Sequence, residues 1–100
     1  MILTTTNSIE GFRIIEYKGI ITGTSFEMKT KFSFKTEKNK EITTDVINEA
    51  KELAFQELQT NAGNLNANAV VGIHVDFETV NGSYFFVSVT GTAVNVAAQK

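Results

Sequence analysis

The chain opens with alternating apolar and polar residues, the pattern of half-buried β-strands. Residues 2–6 are compatible with a short strand, and residues 13–24 alternate over a longer stretch rich in β-branched side chains. The apolar face of the longer segment is formed by Ile15, Tyr17 and Ile21. Gly19 and Gly23 lie on that same face, where they indicate a bend or a closely packed neighbour.

The next stretch alternates phenylalanine with charged residues. Residues 31–37 are therefore interpreted as a short edge strand or one arm of a hairpin. The charged sequence of residues 37–41, Glu-Lys-Asn-Lys-Glu, is interpreted as a solvated loop.

A helical apolar period follows and predicts one long helix from about Thr44 to Ala62. Thr43, Thr44 or Asp45 can cap its N-terminus, and Gly63 is placed to end it in a left-handed conformation. At about 100° per residue the apolar positions cover more than half of the circumference, which is wider than packing on one sheet requires. We therefore expect a further surface to cover the remainder. The apolar positions are Val46, Ile47, Ala50, Leu53, Ala54, Phe55, Leu58 and Ala62.

Two apolar segments, residues 69–80 and 84–96, flank Asn81-Gly82 and predict a β-hairpin. A two-residue turn would mix polar and apolar side chains on both faces, because it sets Asp76 beside Val87. A three-residue loop with Gly82 in a bulge separates them and is preferred. It predicts the pairs Phe77–Phe85, Val75–Val87 and Ile73–Val89. The opposite face then carries His74, Asp76, Glu78, Ser88, Thr90 and Thr92, with Tyr84 and Phe86 near the turn.

These elements predict a single α+β domain spanning residues 1–100, an antiparallel sheet with one long helix packed on one face. With 42% hydrophobic and 20% charged residues the composition is that of an ordinary globular domain. A chain of this size is only marginally stable alone, so burial against a partner would help it.

Charge and residue usage narrow the function classes. Cysteine is absent, which excludes disulfides, zinc–thiolate sites and cysteine nucleophiles. The N-terminus has no basic start or long apolar run, so we expect no signal peptide, and no segment predicts a membrane span. A formal net charge of −2 gives no reason to expect nucleic acid or anionic lipid as a partner. A cytoplasmic location is the expectation.

Several segments, in this order and spacing, resemble the YbjQ-like family of small bacterial proteins. They include both ends of the chain and the helix, and residues 67–72 and 90–94 are the most specific of them. The matching segments are 1–6 (MILTTT), 9–11 (IEG), 15–23 (IEYKGIITG), 50–58 (AKELAFQEL), 67–73 (ANAVVGI) and 89–94 (VTGTAV).

The resemblance implies a dodecin-like subunit that assembles into a ring, typically a pentamer, and carries a heavy-metal-binding label. Three features depart from the family pattern. A Lys- and Phe-containing stretch, residues 28–40, replaces a longer stretch with Gly and Arg. Asn66 stands where Gly is usual, and His74 stands where family members tend to have Asp. The metal label is not tied to a motif that matches here residue by residue.

The candidate metal ligands are His74, Asp76 and Glu78, which alternate along one strand. Such neighbours lie about 6–7 Å apart on one face, whereas a metal needs ligand atoms within about 2.0–2.6 Å of itself. Two of the three can converge on a divalent metal, three from one strand cannot, and a ring could bring several copies together. The alternative interpretation is a solvated polar face without a ligand.

Other candidate chemistry has a simpler explanation in each case. The lysines and phenylalanines of residues 29–40 suit single-stranded nucleic acid, but edge-strand lysines also discourage aggregation, and the negative net charge favours that interpretation. Ser88 and His74 share a face but lack an orienting group or oxyanion hole, so no enzyme is predicted. Glu49, Glu52 and Glu57 fit a solvated helix face.

Two function classes therefore stay open. The first is a self-assembling domain whose oligomer binds a metal cation or small ligand. The second is a structural or regulatory oligomeric partner without a small-molecule ligand.

Overall fold

The computed structural model describes residues 1–28, 36–80 and 84–99, which form one helix and a four-stranded sheet. The elements in chain order are β1 (Ile2–Leu3), β2 (Phe12–Met28), α1 (Thr36–Asn64), β3 (Ala69–Val80) and β4 (Tyr84–Ala98). The strand order in the sheet is β1-β3-β4-β2. Within these ranges, α1 is not apolar enough to cross a membrane.

The sheet is mixed. The three long strands are antiparallel neighbours, but β1 runs parallel to β3, with Ile2 opposite Ala69 and Leu3 opposite Val70. The expectation of a wholly antiparallel sheet is therefore wrong at this edge, whereas the α+β class is confirmed. The reason is topological: β1 reaches β3 through a long connection that contains β2 and α1, and such a connection can join parallel neighbours.

The helix begins earlier than its apolar period. It starts at Thr36, so the predicted loop at residues 37–41 and the predicted caps at residues 43–45 are wrong. The sequence of residues 36–43 contains almost no apolar residues, but glutamate and lysine are good helix formers and favour a helix without an apolar period. Most of the strand predicted at residues 31–37 lies outside the described residues, although Thr36 and Glu37 are helical.

The helix ends in a Schellman motif with Asn66, not Gly63, in the left-handed conformation. Asn66 has a φ of 61°, and its N–H donates to the carbonyl of Gly63 at 2.9 Å. The N–H of Ala67 donates to the carbonyl of Ala62 at 3.0 Å. These two bonds satisfy carbonyls that the end of a helix leaves open, and asparagine tolerates the conformation that glycine usually supplies.

The helix packs on the sheet through small residues. Ala50, Ala54 and Leu58 are fully buried, and Gly23 of β2 lies directly beneath the backbone of Ala54 and Leu58. The sheet contributes Val70, Ile73, Phe85, Val87, Val89 and Ala93 to this main core. Gly23 is thus the close neighbour that its position in the sequence indicates.

A second, smaller core lies on the other face at one end of the sheet. Ala69, Val71, Val94 and Val96 are buried there, and the N-terminal part of the chain covers them through Ile2, Ile9, Phe12 and Ile14. The rest of that face has no covering element among the described residues.

Two irregularities in β2 change the faces expected for its side chains. The pairing with β4 shifts between Ile14 and Glu16 and again between Tyr17 and Gly19. As a result Ile21 is buried against the helix, while Ile15 and Tyr17 are exposed. The prediction that these three residues share one apolar face is wrong, because each shift changes the alternation.

The predicted hairpin forms, but its pairing differs by two residues from the prediction. Val87 lies opposite Phe77 rather than Val75, and Val89 lies opposite Val75 rather than Ile73. An even shift preserves the faces, so the predicted separation of polar and apolar side chains is correct. Phe77 and Phe85, predicted to be direct partners, are diagonal neighbours with ring centroids 5.3 Å apart.

Candidate metal-binding face

A bulge in β3 determines which side chains face away from the helix. At the bulge, two residues of β3, Gly72 and Ile73, lie opposite the single residue Gly91 of β4. The extra residue changes which positions face the main core: the even-numbered Val70 packs there before the bulge, and the odd-numbered Ile73 packs there after it. Gly72 has a φ of 62°, and its N–H donates to the carbonyl of Thr6 at 2.8 Å. The bulge therefore turns His74, Asp76 and Glu78 onto the face opposite α1, here called the open face.

Residues of three strands line up in rows across the open face. Thr22, Thr90 and His74 form one row, and Thr24, Ser88 and Asp76 form the next. The hydroxyl groups of Thr22 and Thr90 are 3.3 Å apart, a hydrogen-bonding distance. The centre of the open face is therefore polar, with the imidazole and the carboxylate on its β3 side.

His74 and Asp76 come together. The Nε2 atom of His74 and the Oδ1 atom of Asp76 are 3.1 Å apart, and the side chains are 75% and 62% exposed. Asp76 can accept a hydrogen bond from Nε2–H, and the Nδ1 atom then keeps a lone pair for a ligand.

Glu78 does not join this pair. The described residues contain no group of three or more His, Cys, Asp or Glu side chains arranged to hold a metal ion. The structure therefore brings together two of the three predicted ligands, as expected for one strand. By the same geometry, the paired groups alone cannot complete the four-ligand shell that zinc prefers.

The third row of the open face consists of Phe26, Phe86 and Glu78, so its β2 and β4 positions are aromatic. Phe26 lies opposite Phe86, and its ring stacks on Tyr84 with centroids 5.2 Å apart and an interplanar angle of 22°. Phe26 is 57% exposed, and further along β2 Ile20 is 80% exposed. Phe26 was not among the predicted site residues because the predicted strand ended at Thr24, although the same alternation continues through residues 22, 24 and 26.

The nucleophile–base couple considered from the sequence is not assembled. Ser88 lies opposite Asp76, whereas His74 lies opposite Thr90 and forms its side-chain hydrogen bond with Asp76. Among the described residues no hydrogen bond joins Ser88 to His74.

The comparisons with known proteins agree with this fold. Residues 1–97 match the model of the YbjQ-like family, which is described as "putative heavy-metal-binding". A crystal structure of a protein of unknown function from Pediococcus pentosaceus, assigned to the DUF74 family, superposes with a TM-score of 0.70. The two sequences are 23% identical, and the match covers 97% of this chain and 98% of the other.

The structural match supports the fold, and the family model covers almost the whole sequence. Both agree with the resemblance that the sequence segments indicated. The chain belongs to the YbjQ-like family.

Proposed function

We propose that the chain is a cytoplasmic, self-assembling binding module whose oligomer binds a divalent transition-metal cation through His74 and Asp76. The observation that carries this proposal is the 3.1 Å approach of the imidazole and the carboxylate on an exposed sheet face. Imidazole and carboxylate together suit zinc, nickel or copper(II). The absence of cysteine from the whole chain removes the thiolate ligands that soft heavy metals prefer.

The pair can act in either of two ways. Both side chains can bind the metal directly. Alternatively, Asp76 can orient the imidazole so that Nδ1 binds the metal, as carboxylates that accept a hydrogen bond from a metal-binding histidine commonly do. Asparagine at position 76 would keep the hydrogen-bond acceptor but lose the anionic ligand. The substitution Asp76→Asn therefore separates the two modes, while Asp76→Ala removes both.

A further ligand must come from outside the pair, since one chain brings only two groups together in the described residues. Oligomerisation provides such ligands, because it repeats the His74–Asp76 pair around a symmetry axis. We propose a homo-oligomeric ring, with the pentamer of the family resemblance as the expected form.

The distribution of exposed apolar side chains supports self-assembly. On the helix side, Leu53, Val75 and Phe77 are 42%, 37% and 44% exposed. On the open face, Phe26 and Ile20 are more exposed still. Two unlike apolar surfaces on one molecule suit a head-to-tail contact, which closes into a ring when the rotation between copies permits it.

Isothermal titration calorimetry tests the metal site. Zinc, nickel, copper(II) and calcium are titrated separately into the purified oligomer. We expect binding of at least one transition metal, and His74→Ala weakens it at least tenfold. Ser88→Ala is the matched control, because it alters the same face opposite Asp76 without removing a candidate ligand. Wild-type protein that binds none of the metals, or binding unchanged by His74→Ala, refutes the assignment.

The Glu78→Gln variant, titrated in the same way, tests whether Glu78 also contributes to metal binding. Glu78 is away from the pair within one chain, so unchanged binding shows that His74 and Asp76 suffice for the contribution of each copy. Weakened binding assigns Glu78 of another copy as a further ligand.

The alternative function is a structural or regulatory oligomeric partner without a small-molecule ligand. The observation that favours it is the incomplete ligand set within the described residues. An oligomer of defined mass that binds no metal in the titrations above would establish this alternative in place of the metal module.

A further inference from the structure

The two flanks of α1 lie beside different parts of the sheet. The side chain of Asn61 donates from Nδ2 to the carbonyl of Thr22 at 2.8 Å, and Oε2 of Glu57 accepts from the backbone N–H of Thr24 at 3.1 Å. One flank of the helix therefore runs along the outer edge of β2, and it is called the β2 flank. The opposite flank lies toward β4 and β3, which follow β2 in the order of the sheet.

The β2 flank presents an exposed leucine between acidic residues. Glu49, Leu53 and Glu57 form one stripe of α1, because each is about one helical turn from the next. Leu53 is 42% exposed, and both glutamates are exposed as well. Leu53 is thus an apolar projection bordered by negative charge.

The opposite flank borders an apolar groove. Phe55 lies about 160° around the helix from Glu57 and packs against the main core, and the exposed Lys51 precedes it by one turn on the same flank. Beside them, Val75 and Phe77 point to the helix side of β3 and stay 37% and 44% exposed, because α1 packs mainly on β2 and β4. Lys51, Phe55, Val75 and Phe77 form what is called the β3 groove, an apolar surface with one positive charge.

The projection and the groove lie at the same level along the helix. Gly23 is directly beneath the backbone of Ala54, and the register of the sheet sets Gly23 in line with Val75. Phe77 is two residues further along β3, about 6.6 Å, which corresponds to about four residues of helix. Because α1 runs antiparallel to both β2 and β3, Leu53 lies at a level between Val75 and Phe77.

We propose that Leu53 of one copy of the chain inserts into the β3 groove of the next copy, and that Glu49 of the first copy faces Lys51 of the next. The proposal rests on the self-assembly in the proposed function and names the surfaces that meet. A second copy is the occupant because the β2 flank of the same molecule matches the groove in apolar character, in charge and in level. Glu49 and Lys51 differ by only two residues, about 3 Å, along the helix.

The level of the two surfaces favours a closed ring. They are unlike and lie on opposite flanks of α1, so the contact between copies is head-to-tail. Neighbours in a ring are rotated about its axis without a shift along it, so surfaces that meet must lie at one level. Leu53 and the β3 groove meet this condition for an axis parallel to α1. The contact leaves the open face, with His74 and Asp76, uncovered.

Two complementary variants test the contact in sedimentation velocity. Leu53→Glu removes the projection and keeps the groove, whereas Phe77→Thr removes part of the groove and keeps the projection. Each variant alone should assemble with a dissociation constant raised about tenfold or more. An equimolar mixture should form a dimer with one copy of each variant and nothing larger, because only one intact projection and one intact groove are available to meet.

Gln56→Glu is the matched control for Leu53→Glu. Gln56 is exposed and lies about 160° around the helix from the buried Ala54, so the variant adds the same charge on the outward side of α1. The control should assemble like wild type.

Charge reversal gives a second test that keeps the apolar surfaces. Glu49→Lys or Lys51→Glu sets like charges opposite each other and should weaken assembly about two- to fivefold at low salt, whereas the double variant should restore it. Both positions are exposed, so the core and the fold are retained. Added salt should reduce the differences between these variants because it screens exposed charges.

The remaining outcomes separate this contact from self-assembly itself. A wild-type oligomer that either Leu53→Glu or Phe77→Thr leaves unchanged refutes the contact, and self-assembly stands. Two weakened variants that do not combine on mixing refute the head-to-tail arrangement. A double charge variant as weak as the single ones refutes the pairing of Glu49 with Lys51. A wild-type monomer at every concentration refutes both the contact and the self-assembly on which it rests.

Discussion

Replacing Gly23 with alanine tests how closely the helix approaches the sheet. A Cβ atom at this position would lie 2.1 Å from the carbonyl oxygen of Ala54, 2.6 Å from the nitrogen of Leu58 and 3.1 Å from its Cα. All three are backbone atoms of α1, so no side-chain rotation relieves the overlap. Ordinary contact begins at 3.4 Å, so the Cβ would overlap the Ala54 oxygen by about 1.3 Å, and the helix and β2 must move apart to relieve this overlap.

That separation weakens the main core as a whole. Ala50, Ala54 and Leu58 are fully buried at this interface, and a gap of even 0.5–1 Å forfeits a quarter to a half of the dispersion attraction across it. Overpacking of this kind costs about 1–3 kcal/mol, and rigid backbone on the other side places Gly23→Ala at or above the upper end.

Urea unfolding followed by circular dichroism measures this cost. Gly63→Ala is the matched control, because a Cβ there has no atom within 4 Å and the residue lies near the end of the same helix. We expect Gly63→Ala to be neutral or stabilising by up to about 1 kcal/mol. A free energy of unfolding for Gly23→Ala within about 0.5 kcal/mol of wild type would refute the direct packing of α1 on β2.

Three further predictions concern the end of the helix, the hydrogen bonds between Asn68 and Val96, and the Lys18–Glu16 ion pair. Asn66→Ala should lower the free energy of unfolding in urea by about 1 kcal/mol, because alanine has a Cβ and tolerates the left-handed region less well than asparagine. Asn66→Gly should leave the free energy of unfolding unchanged, because glycine adopts this conformation readily. Asn68→Ala should cost about 1–2 kcal/mol, because the Asn68 side chain both donates to and accepts from the backbone of Val96, at 3.0 and 2.8 Å; an unchanged unfolding midpoint would contradict this. The hydrogen bond and charge of Lys18 hold the pKa of Glu16 below its ordinary value, so any stability that the pair gives is present above that value and is lost as the pH falls through the lowered pKa. Lys18→Met should therefore raise the pKa of Glu16 in an NMR titration, and an unmoved titration curve would refute the assignment.

The faces of the hairpin were predictable, whereas its register was not. Polar and apolar residues alternate so regularly in β3 and β4 that only one assignment of faces separates them, and the structure confirms it. Any shift by two residues gives the same separation, so the pattern cannot distinguish Phe85 from Val87 as the partner of Phe77. Both registers leave three residues between the last pair, residues 80–82 in the predicted one and 81–83 in the observed one, so the position of the loop rather than its length decides between them.

The irregular positions were the least predictable. The bulge at Gly72 shifts the buried alternation of β3 from Val70 to Ile73, and a glycine within a strand indicates a bulge without giving its direction. The early start of α1 was missed for a related reason, because residues 36–43 have helix propensity but no apolar stripe. The pairing of His74 with Asp76 followed from strand geometry, since alternate residues of a strand share a face.

Native mass spectrometry of the purified protein with zinc tests the central claim of a self-assembling metal module most directly. We expect a homo-oligomer, most simply a pentamer, that retains zinc in a defined stoichiometry. The His74→Ala variant should give the same oligomer without the metal. A wild-type monomer, or an oligomer that retains the same amount of zinc after His74→Ala, would contradict the account.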